Sequence, residues 1–395
     1  MVNDVLLRPL GDLIVSCDHL REPVKETDRR AGPYPYYGAS GIVDHVDSYR
    51  FDGDYLLIAE DGENLRTQQT PIAFLASGQF WVNNHAHVVQ ANQTSDTRYL
   101  MYAVRTVDVR AYLTGSTMPK LTAGNLLRIT IPYRPLPEQR AIASVLSALD
   151  DKIESNRRMS ATLEAIARAL FKSWFVDFDP IRAKVEGRDP GLPAGIAALF
   201  PDSFEHSELG EFPKGWTIKT LSEVAEIRGG KQLPTVECRP HGTFSVFGAN
   251  GVMGYTERIT HAGFVIAFGR VGANCGSVHW TYDGAWINNN ASSVVPVAWH
   301  EFVLQAMLRV DFAVMRTGSA QPFIPNAVLA SSRIVCPQND ILDAFCRLAH
   351  PVRLRDRAAK AESGTLAALR DGLLPNLISG EVRVTDAVRL VGETA

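Results

Sequence analysis

Apolar positions follow two rhythms along this chain. Segments of aromatic and β-branched residues punctuated by glycine run from Tyr34 to Ile58 and again from Phe244 to Phe268, the pattern of short strands. Each is followed by an amphipathic helical pattern, Arg98 to Leu113 and Glu301 to Arg316. Leu100, Ala103 and Val104 there match Val303, Ala306 and Met307 as an i, i+3, i+4 buried face. Gly115 and Gly318 stand where a helix C-terminus takes a residue tolerant of positive φ. A longer rhythm begins after Pro137. From Glu138 to Trp174 there is no glycine or proline, and Ile142, Leu146, Leu149, Ile153, Asn156, Ser160, Leu163, Ala167, Leu170 and Trp174 alternate spacings of four and three. That is a heptad seam. It returns at Ile341, Phe345, Leu348, Val352, Arg355, Ala359, Glu362, Leu366, Leu369 and Leu373, with Pro351 predicting a kink or a late start. Both seams are polar in the middle, so two antiparallel helices bring Asn156/Ser160 near Arg355/Glu362 in a register-fixing layer.

The two halves are copies. Tyr36-Tyr37-Gly38-Ala39-Ser40-Gly41-Ile42 recurs as Val246-Phe247-Gly248-Ala249-Asn250-Gly251-Val252, an offset of 210 that also relates Gly53 to Gly263 and Gly62 to Gly272. Val82-Asn83-Asn84-His85-Ala86 recurs as Ile287-Asn288-Asn289-Asn290-Ala291 at 205, and Thr114-Gly115-Ser116 as Thr317-Gly318-Ser319 at 203. Small loop insertions in the first copy account for the drift. The expected fold is α+β: two similar domains separated by two long antiparallel coiled-coil-like helices, in pseudo-two-fold arrangement. The expected boundaries are 1–136 for the first domain, 137–180 for the first long helix, 181–214 for a linker, 215–338 for the second domain, 339–381 for the second long helix and 382–395 for a tail. At 1.5 Å per residue a helix of this length spans roughly 55 Å. Two domains at its ends can address sites a DNA turn or more apart, since one turn separates half-sites by roughly 34–36 Å.

Composition excludes little. The 395 residues are 46% hydrophobic and 21% charged, as in ordinary folded domains. No apolar run approaches the ~18 residues of a membrane span, and Met1 to Leu10 lacks a signal-peptide pattern, so a cytoplasmic protein without membrane contact is expected. Five cysteines, none in a CxxC pair, give neither a disulfide framework nor a zinc site. A net charge of −3 advertises no DNA binding by the chain as a whole; any such charge is placed locally or supplied by a partner.

The helix segments resemble the specificity (S) subunit of type I restriction–modification systems. The resemblance is carried by Pro135-Leu136-Pro137-Glu138-Gln139-Arg140-Ala141-Ile142-Ala143, by Leu163 to Pro180 with its Phe171-Lys172-Ser173-Trp174-Phe175-Val176-Asp177-Phe178-Asp179-Pro180 ending, and by Leu369-Arg370-Asp371-Gly372-Leu373-Leu374-Pro375-Asn376-Leu377-Ile378-Ser379-Gly380-Glu381. Gly215-Trp216 with Leu221-Ser222-Glu223-Val224 looks like the usual lead into a second target-recognition domain. Pro337-Gln338-Asn339-Asp340 departs from the Pro-x-x-Glu-Gln start common in the second helix. The resemblance implies a non-catalytic reader of double-stranded DNA, and the residues themselves show no cofactor or metal constellation, so neither is expected. Each domain would read one half of a bipartite target while the helices set the gap. Two methyltransferase subunits would dock on the helices, and two restriction subunits would add ATP-driven translocation and cleavage. A duplicated-domain scaffold, or a stand-alone DNA-binding module without a methylase partner, is the alternative.

No catalytic residue is expected. There is no Asn/Asp-Pro-Pro-Tyr/Phe methylase motif, and Gly269 to Gly276 is glycine-rich without the Lys-Ser/Thr of a P-loop. DNA readers need loop donors, Arg or Lys for guanine and phosphate and Asn or Gln for adenine. In the first copy these are Arg66, Gln68, Asn83, Asn84 and Lys120; in the second, Lys231, Arg270, Asn274, Asn288 and Asn289. Arg66, Lys120, Lys231 and Arg270 are the strongest candidates. Asn64, Gln69, His85, His87, Arg228, Asn290 and Gln321 lie in comparable loops.

Overall fold

The computed structural model describes residues 6–207, 210–318 and 321–394. The chain forms two units, Met1–Arg158 with Ala359–Ala395, and Met159–Ala358. Each long helix therefore gives one half to each unit.

In the first unit a four-stranded antiparallel sheet runs in the order Ile14–Ser16, Ala86–Ala91, Tyr55–Ala59, Ala73–Ala76. Leu56, Leu57, Ile58 and Ala59 are all buried because the central strand is covered on both faces. A second sheet runs Gly41–Val46, Ala31–Gly38, Gln79–Val82, Phe51–Asp52, with Ala31–Gly38 and Gln79–Val82 parallel. The second unit repeats this topology, with three strands instead of four in the second sheet. Its sheets run Ala225–Gly229, Ala291–Pro296, Val265–Gly269, Val278–Thr281 and Gly251–Thr256, Phe244–Gly248, Ala285–Ile287, the last two again parallel. Leu7–Pro9 pairs with Thr130–Pro132 in one unit, and Thr217–Thr220 with Arg333–Cys336 in the other.

The amphipathic helices are shorter than their sequence pattern predicts. They occupy Thr97–Arg105 and His300–Arg309, and the remainder of each pattern is a separate 3₁₀ turn, Val109–Tyr112 or Phe312–Met315. The break has the same cause twice. Asp108 and Asp311 accept hydrogen bonds from the amides of Arg110 and Ala313, each at 3.0 Å, starting a new turn instead of continuing the old one. Gly115 and Gly318 do have positive φ, both +85°, but they lie in the following loops and not at a helix end.

The long helices are Leu136–Phe175 and Asn339–Ser379, the second continuous through Pro351 with no late start. Within the first unit the pairing is antiparallel: Asp150 meets Arg370, Asn156 meets Glu362, and Arg134 meets the Ser379 carbonyl. Within the second, Phe171, Trp174 and Phe175 pack on Phe345. Every position of the first seam is buried or half-buried. The second seam slips after Phe345. Ala349, Arg353 and Asp356 are buried, while Leu348 (39%) and Arg355 are exposed. Two consecutive spacings of four, 345 to 349 to 353, rotate the buried stripe away from a strict heptad. Of the expected polar layer, Asn156 and Glu362 meet at 2.9 Å and Lys152 joins Glu362 at 3.2 Å, but Arg353 takes the buried place assigned to Arg355.

The segments expected as a linker and a C-terminal tail carry helices. Asp179–Val185 and Ala194–Ala197 are helical within the stretch read as a linker, and Ile181, Phe200 and Phe212 are buried in the core of the second unit. Val384–Thr394 forms a helix whose Ala387 is fully buried in the core of the first unit. All five cysteines are free.

Candidate nucleic-acid interface

Four loops converge in the first unit, and the same four with the Lys231 loop converge in the second. In the first, the hairpin tip after Gly38 meets the turn after Val82 through the Asn83 amide, which donates to the Tyr37 carbonyl at 3.0 Å. The turn holds itself: Asn83 Oδ1 accepts from the His85 amide at 2.8 Å. The Glu60 amide donates to the His85 carbonyl at 2.9 Å, and the Gly62 amide to the Pro119 carbonyl at 3.1 Å. Thr114 and Lys120 exchange two 2.8 Å backbone bonds, closing a loop that needs Gly115 at φ +85°; a Cβ there would lie 2.3 Å from the Met118 carbonyl oxygen.

The second unit closes its loops with the same bonds. The Asn288 amide donates to Phe247 at 2.8 Å, Arg270 to Asn290 at 3.0 Å and Gly272 to Pro322 at 2.9 Å, while Thr317 and Phe323 exchange two bonds of 2.9 Å. The Lys231 loop is held against the Asn288 turn by its amide, 2.9 Å from the Ile287 carbonyl. Gly230 is required there, because a Cβ would lie 2.0 Å from the Asn288 carbonyl oxygen.

Beneath the first cluster lies a network of charged residues. His87, fully sheltered, places Nδ1 2.6 Å from Asp18 and Nε2 2.8 Å from the Leu121 carbonyl. Arg21 bonds Glu60 at 2.6 Å and lies 3.3 Å from Asp18, and Lys120 lies 3.0 Å from Glu60. Burial works against the Asp18 charge, yet hydrogen bonds from His87 and the Val88 amide, with the Arg21 cation beside it, hold its carboxyl below the ordinary value. Burial opposes the charge of Glu60 as well, and Arg21 and Lys120 lower it in the same way.

The candidates read from sequence divide into three kinds. Asn83 and Asn288 are buried and hold the turn, so they form the frame. Arg66, Gln68, Lys120 and Arg270 are engaged within their own unit. Arg66 donates to the Gly115 and Ser116 carbonyls at 3.2 and 3.0 Å, and Gln68, at φ +46°, donates to Val107. Arg270 donates to the Asn289 carbonyl at 3.0 Å. Asn84, Lys231, Asn274 and Asn289 are exposed at the loop surface.

Sequence reasoning passed over the acidic members, Asp18, Glu60 and Asp61. It also passed over Ile42/Val43 and Val252/Met253, exposed by half at equivalent positions of the two hairpins. The repeat offset carried the only available signal, by pairing Glu60 with Arg270 and Asp61 with Val271. In the first unit Ser40, Val43, Asp61, Glu63, Asn64 and His85 line an open cleft of about 330 Å³. Among the described residues no group of three or more His, Cys, Asp or Glu side chains could hold a metal ion, and no helix is long and apolar enough to cross a membrane.

Residues 4–165 match the family model of the type I restriction modification DNA specificity domain. A putative type I restriction enzyme specificity subunit of Haemophilus influenzae, S.HindORF215P, is 37% identical over 151 residues, covering 37% of this chain and 38% of that one. The MjaIX specificity subunit of Methanocaldococcus jannaschii is 25% identical over 361 residues, covering 84% of this chain and 80% of its own length. The crystal structure of the type I restriction–modification S subunit from M. genitalium matches 95% of this chain and 97% of its own at a TM-score of 0.65 and 16% identity, which shows a shared fold. The resemblance read from the helix motifs therefore extends to the sequence of the first domain and to the fold of nearly the whole chain.

Proposed function

We propose that this chain, similar in sequence and fold to type I specificity subunits, is the DNA-reading subunit of a type I restriction–modification complex. Each unit reads one half of a bipartite target through its loop cluster. The long helices set the gap and seat two methyltransferase subunits, and two restriction subunits complete the restricting form. The chain itself catalyses nothing. The observation that carries this reading is the duplication of one loop cluster on one hydrogen-bonded frame with different side chains at its rim, which suits two readers of different sequences. Arg66, Gln68, Asn83, Asn84, Lys120, Lys231, Arg270, Asn274, Asn288 and Asn289 remain the proposed DNA-facing set. Asn83 and Asn288 serve there as frame, and Asn84, Lys231, Asn274 and Asn289 as the residues free to make contact.

The test is the pattern of methylated adenine in host DNA with and without this gene. A two-part motif that disappears with the gene supports the proposal, and an unchanged pattern contradicts it. Purified chain incubated alone with DNA and a methyl donor is expected to give no product.

A further inference from the structure

We infer that Asp61 and His85 form the base-reading pair of the first domain, and that Val271 and Asn290 replace it in the second. The inference rests on the DNA-reading role proposed above and names the residues that make the two domains read differently. His85 Nδ1 lies 3.0 and 2.8 Å from the two carboxylate oxygens of Asp61. The carboxylate can only accept, so Nδ1 carries the hydrogen, and in the neutral ring Nε2 is left as an acceptor. Asp61 is sheltered, with 19% of its side chain exposed, whereas His85 is 51% exposed at the cleft edge. A sheltered carboxylate thus fixes the tautomer of an accessible ring, the arrangement that gives a contact its direction.

The loop does not need this pair to close. In the second unit the equivalent positions hold Val271 and Asn290, which cannot form an ion pair. Yet the Arg270 amide still donates to the Asn290 carbonyl, as the Glu60 amide does to His85. The Gly62 and Gly272 bonds to Pro119 and Pro322 also match. A side-chain pair that the frame can do without, lining an open cleft at the convergence of the loops, is placed for a ligand. Its chemistry selects an exocyclic amino group, adenine N6 or cytosine N4, as donor to Nε2. The Asn290 amide instead both donates and accepts, which suits the N7 and N6 edge of adenine.

The test selects duplexes from a randomised pool with the chain assembled with its methyltransferase subunits. Exchanging the pair, with Asp61→Val and His85→Asn together, is expected to lower the preference at one base pair of the first half-site about tenfold and leave the second half unchanged. The reciprocal exchange, Val271→Asp with Asn290→His, is expected to alter the second half only, and it decides the matter if the first variant fails to assemble. Asp61→Asn alone, which frees the tautomer, should blur the same position as the double variant. An unchanged first half-site overturns the inference, as does complete loss of binding by an assembled variant, which would make the pair structural. A wild-type complex that enriches no bipartite motif would instead overturn the proposed function itself.

Discussion

At the scale of single residues, the first unit stores a network of paired charges under its loops. Asp18 and Glu60 have lowered carboxyl values because His87, Arg21 and Lys120 meet their charged forms. For a carboxylate lowered on folding, the stabilisation is complete above the ordinary carboxylate range and is lost as pH falls through the native value. Asp18→Asn removes an ionised partner from the buried His87 and is expected to cost about 2 kcal/mol at neutral pH. The variant should also lose less stability than wild type between neutral pH and about pH 3. Urea unfolding of the full chain across that range measures both effects, and parallel pH profiles would show that the pair contributes nothing. Position 18 was beyond sequence reading. A lone aspartate near the N-terminus carries no signal until the sheet brings His87 beside it. Asn83 and Asn288 were legible because a repeated turn repeats its turn residue.

At the scale of elements, each domain is fastened to a long helix by different chemistry. In the first unit, Gln139 is fully buried, accepts from the Asp96 amide at 2.9 Å and donates to the Thr94 and Arg134 carbonyls. This gives a physical reason for the glutamine of the Pro-x-x-Glu-Gln motif. In the second unit Trp299 takes the place of Asp96, and its Nε1 donates to Asp343 at 2.8 Å. Further along, the polarity reverses. Asp150 on the first long helix accepts from Tyr102 and Arg370, both at 2.6 Å. Arg353 on the second meets Glu301 at 3.3 Å, with its guanidinium over the Trp280 ring. Both partners of that ion pair are almost wholly buried. Glu301→Ala, which leaves Arg353 without its 3.3 Å partner, is expected to cost about 3–5 kcal/mol. Arg353 also lies 3.6 Å from the buried Asp356, so the replacement that should recover to within about 1 kcal/mol of wild type is Glu301→Leu with Arg353→Met and Asp356→Leu, which removes all three charges together. Denaturant unfolding of the three chains decides; a single variant as stable as wild type would contradict the account of the seat. The heptad pattern revealed both helices, but it assigned Arg355 to the seam. Consecutive spacings of four from Phe345 to Arg353 are a packing outcome that periodicity alone does not register.

The strut role proposed for the helices gives a prediction about length. Four residues added to a helix lengthen it by about 6 Å and turn it by about 400°, nearly preserving the face presented. Both helices give halves to both units, so the insertion belongs in both, within residues 154–159 and 359–364. The methylated motif of the assembled complex should keep its halves and widen its gap by about two base pairs, since DNA rises 3.4 Å per base pair. Insertion in one helix only, or of two residues in both, should abolish methylation. An active double insertion with the original gap would contradict the strut.

At the scale of the whole molecule, duplication was the most legible feature. Short matches at slowly drifting offsets are what two copies of one domain leave when loops change and frames do not. The helices at 179–185 and 384–394 follow the two long helices at equivalent places in the copies, but they share no short motif such as Gly-Ala-x-Gly, so the repeat did not mark them. The central claim is that the two copies read independently, and one measurement meets it directly. Residues 1–135 are exchanged for the equivalent part of a relative, and the methylated motif of the assembled complex is sequenced. The account predicts that one half of the motif changes to the relative's and the other half stays as it was; a motif changed in both halves, or in neither, would contradict it.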